Sequence, residues 1–276
     1  MTTPMMTAER IEDVLVVKIG GGEGLDLEAS VADLAQVAAE RPLVIVHGVS
    51  AEANRLCEER GVPVRMITSP GGHSSRYTDA ETRDVFVDAA LNVSNAVIDA
   101  LTTHGIRAER VASSVAGTRK KAIRAVVDGR VRVIRDDYTG SIDGVNAQPI
   151  LDLLAQGIVP VLPPQAFSES DGFLNIDGDR AAAAVAAEIG ADDMIILSNV
   201  RGLYRNFPDE SSFVSEVSGA QIDTALADWA EGRMKRKVLS AQEALGGGVN
   251  RVWIADGRIE NPVQSALSGA GTVFTR

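Results

Sequence analysis

Lysine is scarce in this chain. Of 27 basic residues only five are lysine: Lys18, Lys120, Lys121, Lys235 and Lys237, in three short clusters. A compact ammonium that follows a moving charge is poorly replaced by a planar guanidinium, so these clusters are candidates for chemistry. Cysteine is scarcer still. The one thiol, Cys57, excludes an internal disulfide and a cysteine metal cluster. No apolar run of about 18 residues and no signal peptide is visible, so the expectation is a soluble, cytoplasmic protein with no membrane association. Basic charge is also short overall. The net charge of −11 and isoelectric point near 4.8 argue against general nucleic-acid binding, because nothing would offset phosphate repulsion. Neither a GxGxxG fingerprint nor a GxxxxGK[ST] loop occurs.

What is present begins at Val14–Gly22. A short β-branched run suits a strand covered on both faces, and it runs through Lys18 into Gly20-Gly21-Gly22. Glycines there let backbone N–H groups approach an anion. Lys18 would lie where a parallel strand ends, the usual place for ligands in open α/β sheets. The spacing predicts a helix over Leu27–Glu40, a strand over Leu43–Val46, a second glycine turn at His47-Gly48-Val49-Ser50, and a helix over Ala51–Arg60. Such alternation implies a parallel sheet with right-handed crossovers. His47 reads either as catalytic or, the favoured reading, as a residue that orients its turn.

Residues 64–79 read as irregular, with an N-cap at Thr78 or Asp79 and a long helix over Ala80–Thr103. Arg76 just before that helix suits a carboxylate ligand or a helix salt bridge. The apolar stripe of the helix fits either the core or a dimer face. The basic stretch Arg119-Lys120-Lys121 leads into an alternating segment with an Asp128-Gly129 turn, a hairpin signature. It reads as a charge-guarded edge or as a dock for an acidic partner. Asn175, Asp177 and Asp179 stand at a helix start, more polar groups than one cap requires. A loop over 232–237 is expected to carry Met234 and Lys237 into a helix near Val238.

Taken in order, VVKIGGG, HGVS, SRYTD, NIDGD, LSNVRGLY, GRMKRKV and the final GAGTVF resemble the amino-acid kinase family, with acetylglutamate kinase-like spacing along nearly the whole chain. GGHSSRYTD, GTRKKA, DYTG and ADGRIENP are closer to the branch of [LysW]-aminoadipate and [LysW]-glutamate kinases. The resemblance implies a three-layer αβα sandwich with a mostly parallel central sheet. It implies one domain, with a substrate and carrier lobe over 12–166 and a nucleotide lobe over 167–276. The implied reaction passes the γ-phosphoryl of ATP, carried with Mg2+, to a side-chain carboxylate of aminoadipate or glutamate. The amino group of that acceptor is linked to the C-terminal glutamate of a small acidic carrier, LysW, in lysine or arginine biosynthesis.

By the same match, Lys18 and Lys237 stabilise transferring charge and Asp179 holds them. Gly20 and Gly21 bind phosphate. Gly48, Val49, Arg76 and Asn175 contact the acceptor. Ser198, Asn199, Gly202, Tyr204 and Met234 border the nucleotide. Arg119, Lys120 and Lys121 dock the carrier. No resident metal ligand is implied, and a homodimer is expected. The chain departs from the family's usual HGG at Val49, which would be a poor fit if that position required positive φ. The alternative activity is phosphorylation of free N-acetylglutamate.

Overall fold

A computed structural model describes residues 11–22, 27–72, 74–127 and 129–276. His73 and Asp128, which belong to motifs singled out above, lie outside the described residues, as do the side chains of Leu27 and Val127. The centre is an eight-stranded sheet. Its spatial order is Glu216–Val217, Thr272–Thr275, Arg251–Asp256, Asp193–Ser198, Leu15–Ile19, Leu43–His47, Val159–Leu162 and Ala108–Arg110. Only the pairing of Arg251–Asp256 with Thr272–Thr275 is antiparallel.

The apolar strand runs are explained by burial on both faces. Val16, Val44, Met194 and Ile196 pack with the Gly178–Glu188 and Gly232–Gly246 helices. Their neighbours Val17, Ile45, Ile195 and Leu197 point the other way, toward the Leu27–Glu40 and Ala80–Thr103 helices. Alternation along each strand therefore feeds two separate cores, and the result is three layers. The Ala80–Thr103 helix is long and apolar enough to cross a membrane by length and composition alone. Here its inner face packs on the 27–40 and 50–60 helices.

The first strand is the switch point. From Leu15–Ile19 the sheet extends through Leu43–His47 on one side and through Asp193–Ser198 on the other. In open α/β sheets the crevice forms beyond the carboxyl ends of strands at such a point. The expected lobe boundary at 166 falls inside a strand, Gln165–Ser168. Four strands of the shared sheet precede it and four follow.

Two expectations are corrected. Residues 64–79 are not wholly irregular: Met66–Thr68 and Ser74–Arg76 form an antiparallel hairpin. That hairpin joins the expected one, Ile123–Val127 with Arg130–Ile134, through the Thr68–Val126 pair, making a four-stranded outer sheet. Pro70-Gly71-Gly72 signals the turn, but three-residue strands are too short to show alternation. The last major helix starts at Gly232 rather than near Val238, so Met234 and Lys237 are helical.

The two glycine turns touch. A Cβ on Gly21 would lie 2.3 Å from both the Gly48 carbonyl carbon and the Val49 nitrogen. Gly21→Ala is therefore expected to force the turns apart, destabilising the protein by about 2 kcal/mol as an overpacking defect. Thermal melting of the variant checks this.

Candidate active site

Three side chains converge beyond the first strand. Asp179, in the first turn of the 178–188 helix, is ion-paired through Oδ1 with Lys18 Nζ at 2.7 Å and accepts a hydrogen bond from Lys237 Nζ at 3.0 Å on Oδ2. All three are at least six-sevenths covered. Burial alone would raise the Asp179 carboxyl. The Lys18 and Lys237 charges outweigh it, and the group is held well below the usual carboxylate range. Burial lowers the Lys237 ammonium, and Asp179 opposes that. The cluster keeps one net positive charge beside the glycine turns. The place where a Gly178 Cβ would stand is 3.5 Å from Lys18 Cε and 4.0 Å from the His47 carbonyl oxygen.

The turns are locked by backbone bonds. Gly48 N–H donates to the Ile19 carbonyl at 2.9 Å and Ala51 N–H to the Gly21 carbonyl at 2.7 Å. Val49 caps the next helix at φ −134°, an ordinary value for valine, so the departure from HGG carries no backbone strain. His47 is buried, with Nε2 2.8 Å from Ser94 Oγ and Nδ1 3.2 Å from the Gly48 carbonyl. Burial pushes its pKa down to about 4. A neutral, fully engaged imidazole suits the turn-orienting reading.

The polar run at the helix start divides its labour. Asp177 is the N-cap, with Oδ1 accepting Asp179 N–H at 3.0 Å and Arg180 N–H at 3.1 Å. Its Oδ2 accepts Arg236 Nη1 at 3.2 Å, while Arg236 Nη2 reaches the Ser74 carbonyl at 3.1 Å. Asn175 Nδ2 donates to Thr78 Oγ1 at 2.9 Å. Thr78 is a hub: its N–H donates to buried Asp137 and its carbonyl accepts from Tyr138 N–H. Two residues earlier, Arg76 Nη2 donates to Asn54 Oδ1 at 2.5 Å and to the Ser50 carbonyl at 3.3 Å. Its Nη1 is buried with no partner among the described residues. Burial lowers the pKa of this guanidinium. An unpaired, desolvated guanidinium N–H is costly, and a carboxylate is the ligand that best satisfies it. No helix carboxylate pairs with Arg76 among the described residues, so the salt-bridge reading is not met.

Other candidates lie farther out. Ser198 ends its strand beside the first one, with Asn199 exposed after it. Gly202 packs against Thr272, and Tyr204 is buried, its hydroxyl 3.0 Å from Glu210. Met234 packs partly against the core. Arg119 is committed within the chain: it stacks on Tyr138 at 3.7 Å, donates to the Asp137 carbonyl and pairs with Asp171 at 3.4 Å. Its donors are thus engaged within the chain. Lys120 and Lys121 are exposed. Partial shielding from water, then the Arg180 and Arg236 charges, lowers the Lys120 ammonium, so it belongs to the same basic rim. Arg236 and Asp137 were not singled out from sequence, and Thr78 only as a cap candidate, a role that falls to Asp79. Each lies within or beside a motif used for the resemblance, but an arginine and two short polar residues carry no periodic signal.

The pattern describing the Amino acid kinase family matches residues 13–256. The chain is 44% identical over 268 residues to the [LysW]-aminoadipate kinase of Thermus thermophilus, covering 94% of this chain and 99% of that one. It is 41% identical to the [LysW]-aminoadipate kinase of Deinococcus radiodurans, covering 96% and 93%. A putative [LysW]-aminoadipate/[LysW]-glutamate kinase of Nitrosopumilus maritimus is 37% identical, with coverage of 92% and 96%. Among solved structures, an N-acetylglutamate synthase from Neisseria gonorrhoeae superposes with TM-score 0.79 at 24% identity, over 97% of this chain and 60% of its own. Carbamate kinase from Giardia lamblia gives TM-score 0.67 at 15% identity, over 96% and 98%. These two structures speak to the fold.

The buried imidazole gives a pH prediction. His47 binds its proton less well folded than unfolded, so its stabilising effect is complete above about pH 6.5 and is lost as pH falls toward 4. His47→Gln should remove up to about 3 kcal/mol of that acid-side slope. Denaturant titrations of wild type and variant between these pH values check it.

Proposed function

The chain belongs to the amino acid kinase family and is a phosphotransferase, and from that premise we propose that it phosphorylates the side-chain carboxylate of LysW-linked aminoadipate with ATP. The observation that carries the reading is the Lys18–Asp179–Lys237 cluster, an enclosed net positive charge beside two glycine turns. The names of the relatives at 41–44% identity favour aminoadipate over glutamate, and hence lysine biosynthesis.

The acceptor carboxylate is ionised near neutral pH, so no general base is required. The obstacle is bringing one anion up to another and stabilising charge in the transferring group. Lys18 and Lys237 supply that stabilisation, and Asp179 fixes their positions. Amides of Gly20, Gly21 and Val49 face phosphate and acceptor, while Gly48, its own N–H spent on the Ile19 carbonyl, lets the turn lie close to the acceptor. The free Nη1 of Arg76 takes the α-carboxylate, and Asn175 lies on the same side through Thr78. Ser198, Asn199, Gly202, Tyr204 and Met234 border the nucleotide. Both Asp179 oxygens are engaged by lysine, so Mg2+ arrives on the phosphates of ATP. The 12–166 and 167–276 lobes serve acceptor and nucleotide on either side of the first strand. A homodimer through the 80–103 helix completes the proposal, with the carrier's dock among the exposed basic residues that include Lys120 and Lys121.

Trapping of acyl phosphate with hydroxylamine tests this directly. LysW-aminoadipate should react faster than LysW-glutamate, and both far faster than free N-acetylglutamate. Efficient turnover of free N-acetylglutamate alone would overturn the carrier reading. Lys237→Met is expected to lower kcat by about a hundredfold or more, as for loss of a charge-stabilising donor. Arg76→Lys should raise KM about tenfold with a smaller effect on kcat, because the forked geometry is lost. Steady-state kinetics separate the two.

A further inference from the structure

The GRMKRKV motif supplies a cation that the proposed chemistry leaves unused. Arg236 precedes Lys237 on the Gly232–Gly246 helix, and each pairs with a carboxylate at the start of the Gly178–Glu188 helix. Lys237 Nζ meets Asp179 at 3.0 Å, and Arg236 Nη1 meets Asp177 at 3.2 Å. The other end of the guanidinium fork turns away from that helix. Arg236 Nη2 donates to the Ser74 carbonyl at 3.1 Å, across 162 positions of sequence. Ser74 opens the Ser74–Arg76 strand, so Arg76 stands two residues on, about 6.6 Å away along it.

One side chain therefore ties together the elements that carry Arg76, Asp179 and Lys237. The tie adds little to stability. Arg236 and Asp177 keep 32% and 24% of their side-chain surface exposed, and ion pairs so open to water are weak. What the tie fixes is a distance. Among the described residues, the sheet that contains Ser74–Arg76 shares no strand with the central sheet. Strand register in the central sheet thus does not set how far Arg76 stands from Lys18 and Lys237. Side-chain bonds do so instead. The 50–60 helix holds the end of the short strand through Asn54 and Ser50, and Arg236 holds its start.

We infer that Arg236 is a positioning residue that sets the span between Arg76 and the two lysines, and with it the choice between acceptors one methylene apart. On the carrier-linked reading of the substrate, which this presupposes, the α-carboxylate lies on Arg76 and the side-chain carboxylate between the lysines. An acceptor then has to match the span. One methylene alters its reach by about 1 Å, and a misplacement of that size costs on the order of a hundredfold in rate. A fitted site separates such neighbours by about 10–200-fold. The fork is what suits arginine to the task, because a planar guanidinium reaches two acceptors at once and an ammonium is a single point of charge.

Three variants test this. Arg236→Lys keeps the charge and loses the fork, Arg236→Gln loses both, and Asp177→Asn keeps a good helix cap while discharging the partner. For each, kcat and KM are measured on LysW-aminoadipate and LysW-glutamate, with KM for ATP and thermal melting alongside. The ratio of kcat/KM between the two conjugates is expected to fall at least about fivefold in all three. The loss is carried by kcat on the better conjugate, while KM for ATP and melting temperature stay close to wild type. A wild-type ratio in Arg236→Lys would overturn the positioning role and leave only a role for charge. Equal proportional losses on both conjugates would overturn it too. A native enzyme that uses both conjugates equally well would contradict the span and leave the kinase reading intact. A native enzyme inactive on both would overturn the carrier-linked reading itself.

Discussion

One buried carboxylate organises this molecule. Asp179 holds an ammonium from the first strand and another from the last major helix, about 220 residues apart in sequence. Three charges taken out of water are tolerated only when paired this closely, so strand register and helix placement answer to that contact. Lys18 comes from the strand at which the order of strands switches, Asp179 from the helix capped by Asp177, and Lys237 from a helix that begins five residues before it. One positive charge is left over, enclosed and next to backbone amides.

The layers were legible because the strands are short β-branched runs separated by helical spacing, and burial on both faces is the only way to hide them. A cap at Thr78 or Asp79, which the structure gives to Asp79, and a helix from Ala80 followed from capping chemistry. The hairpin at Met66–Arg76 was not legible. Its strands carry methionine and serine, are three residues long, and are stabilised by pairing with a segment more than 50 residues away. The start of the Gly232 helix was hidden for a related reason: a glycine at φ +51° opens it without a side-chain cap. In the site, the residue types were visible but not the division of labour. Asn175, Asp177 and Asp179 read as one over-supplied cap. The fold sends one to Thr78, uses one as the cap, and gives one to the lysines.

The proposed chemistry asks little of proton transfer, and the groups present agree with that. The histidine nearest the strand ends is neutral and spent on Ser94 and a carbonyl. What the site offers instead is positive charge in graded depth: two ammonium groups inside, Arg76 with its unpartnered Nη1, and Arg236 and Lys120 on the rim.

The central claim is that the acceptor carboxylate itself attacks the γ-phosphorus of ATP within the lysine-bounded site. The most direct measurement starts from LysW-aminoadipate labelled with heavy oxygen in its side-chain carboxylate. The acyl phosphate formed is cleaved with hydroxylamine, and the released phosphate is examined by mass spectrometry. Attack by the carboxylate leaves one labelled oxygen in the phosphate, because hydroxylamine breaks the bond between the acyl carbon and that oxygen. Phosphate free of label would contradict the account.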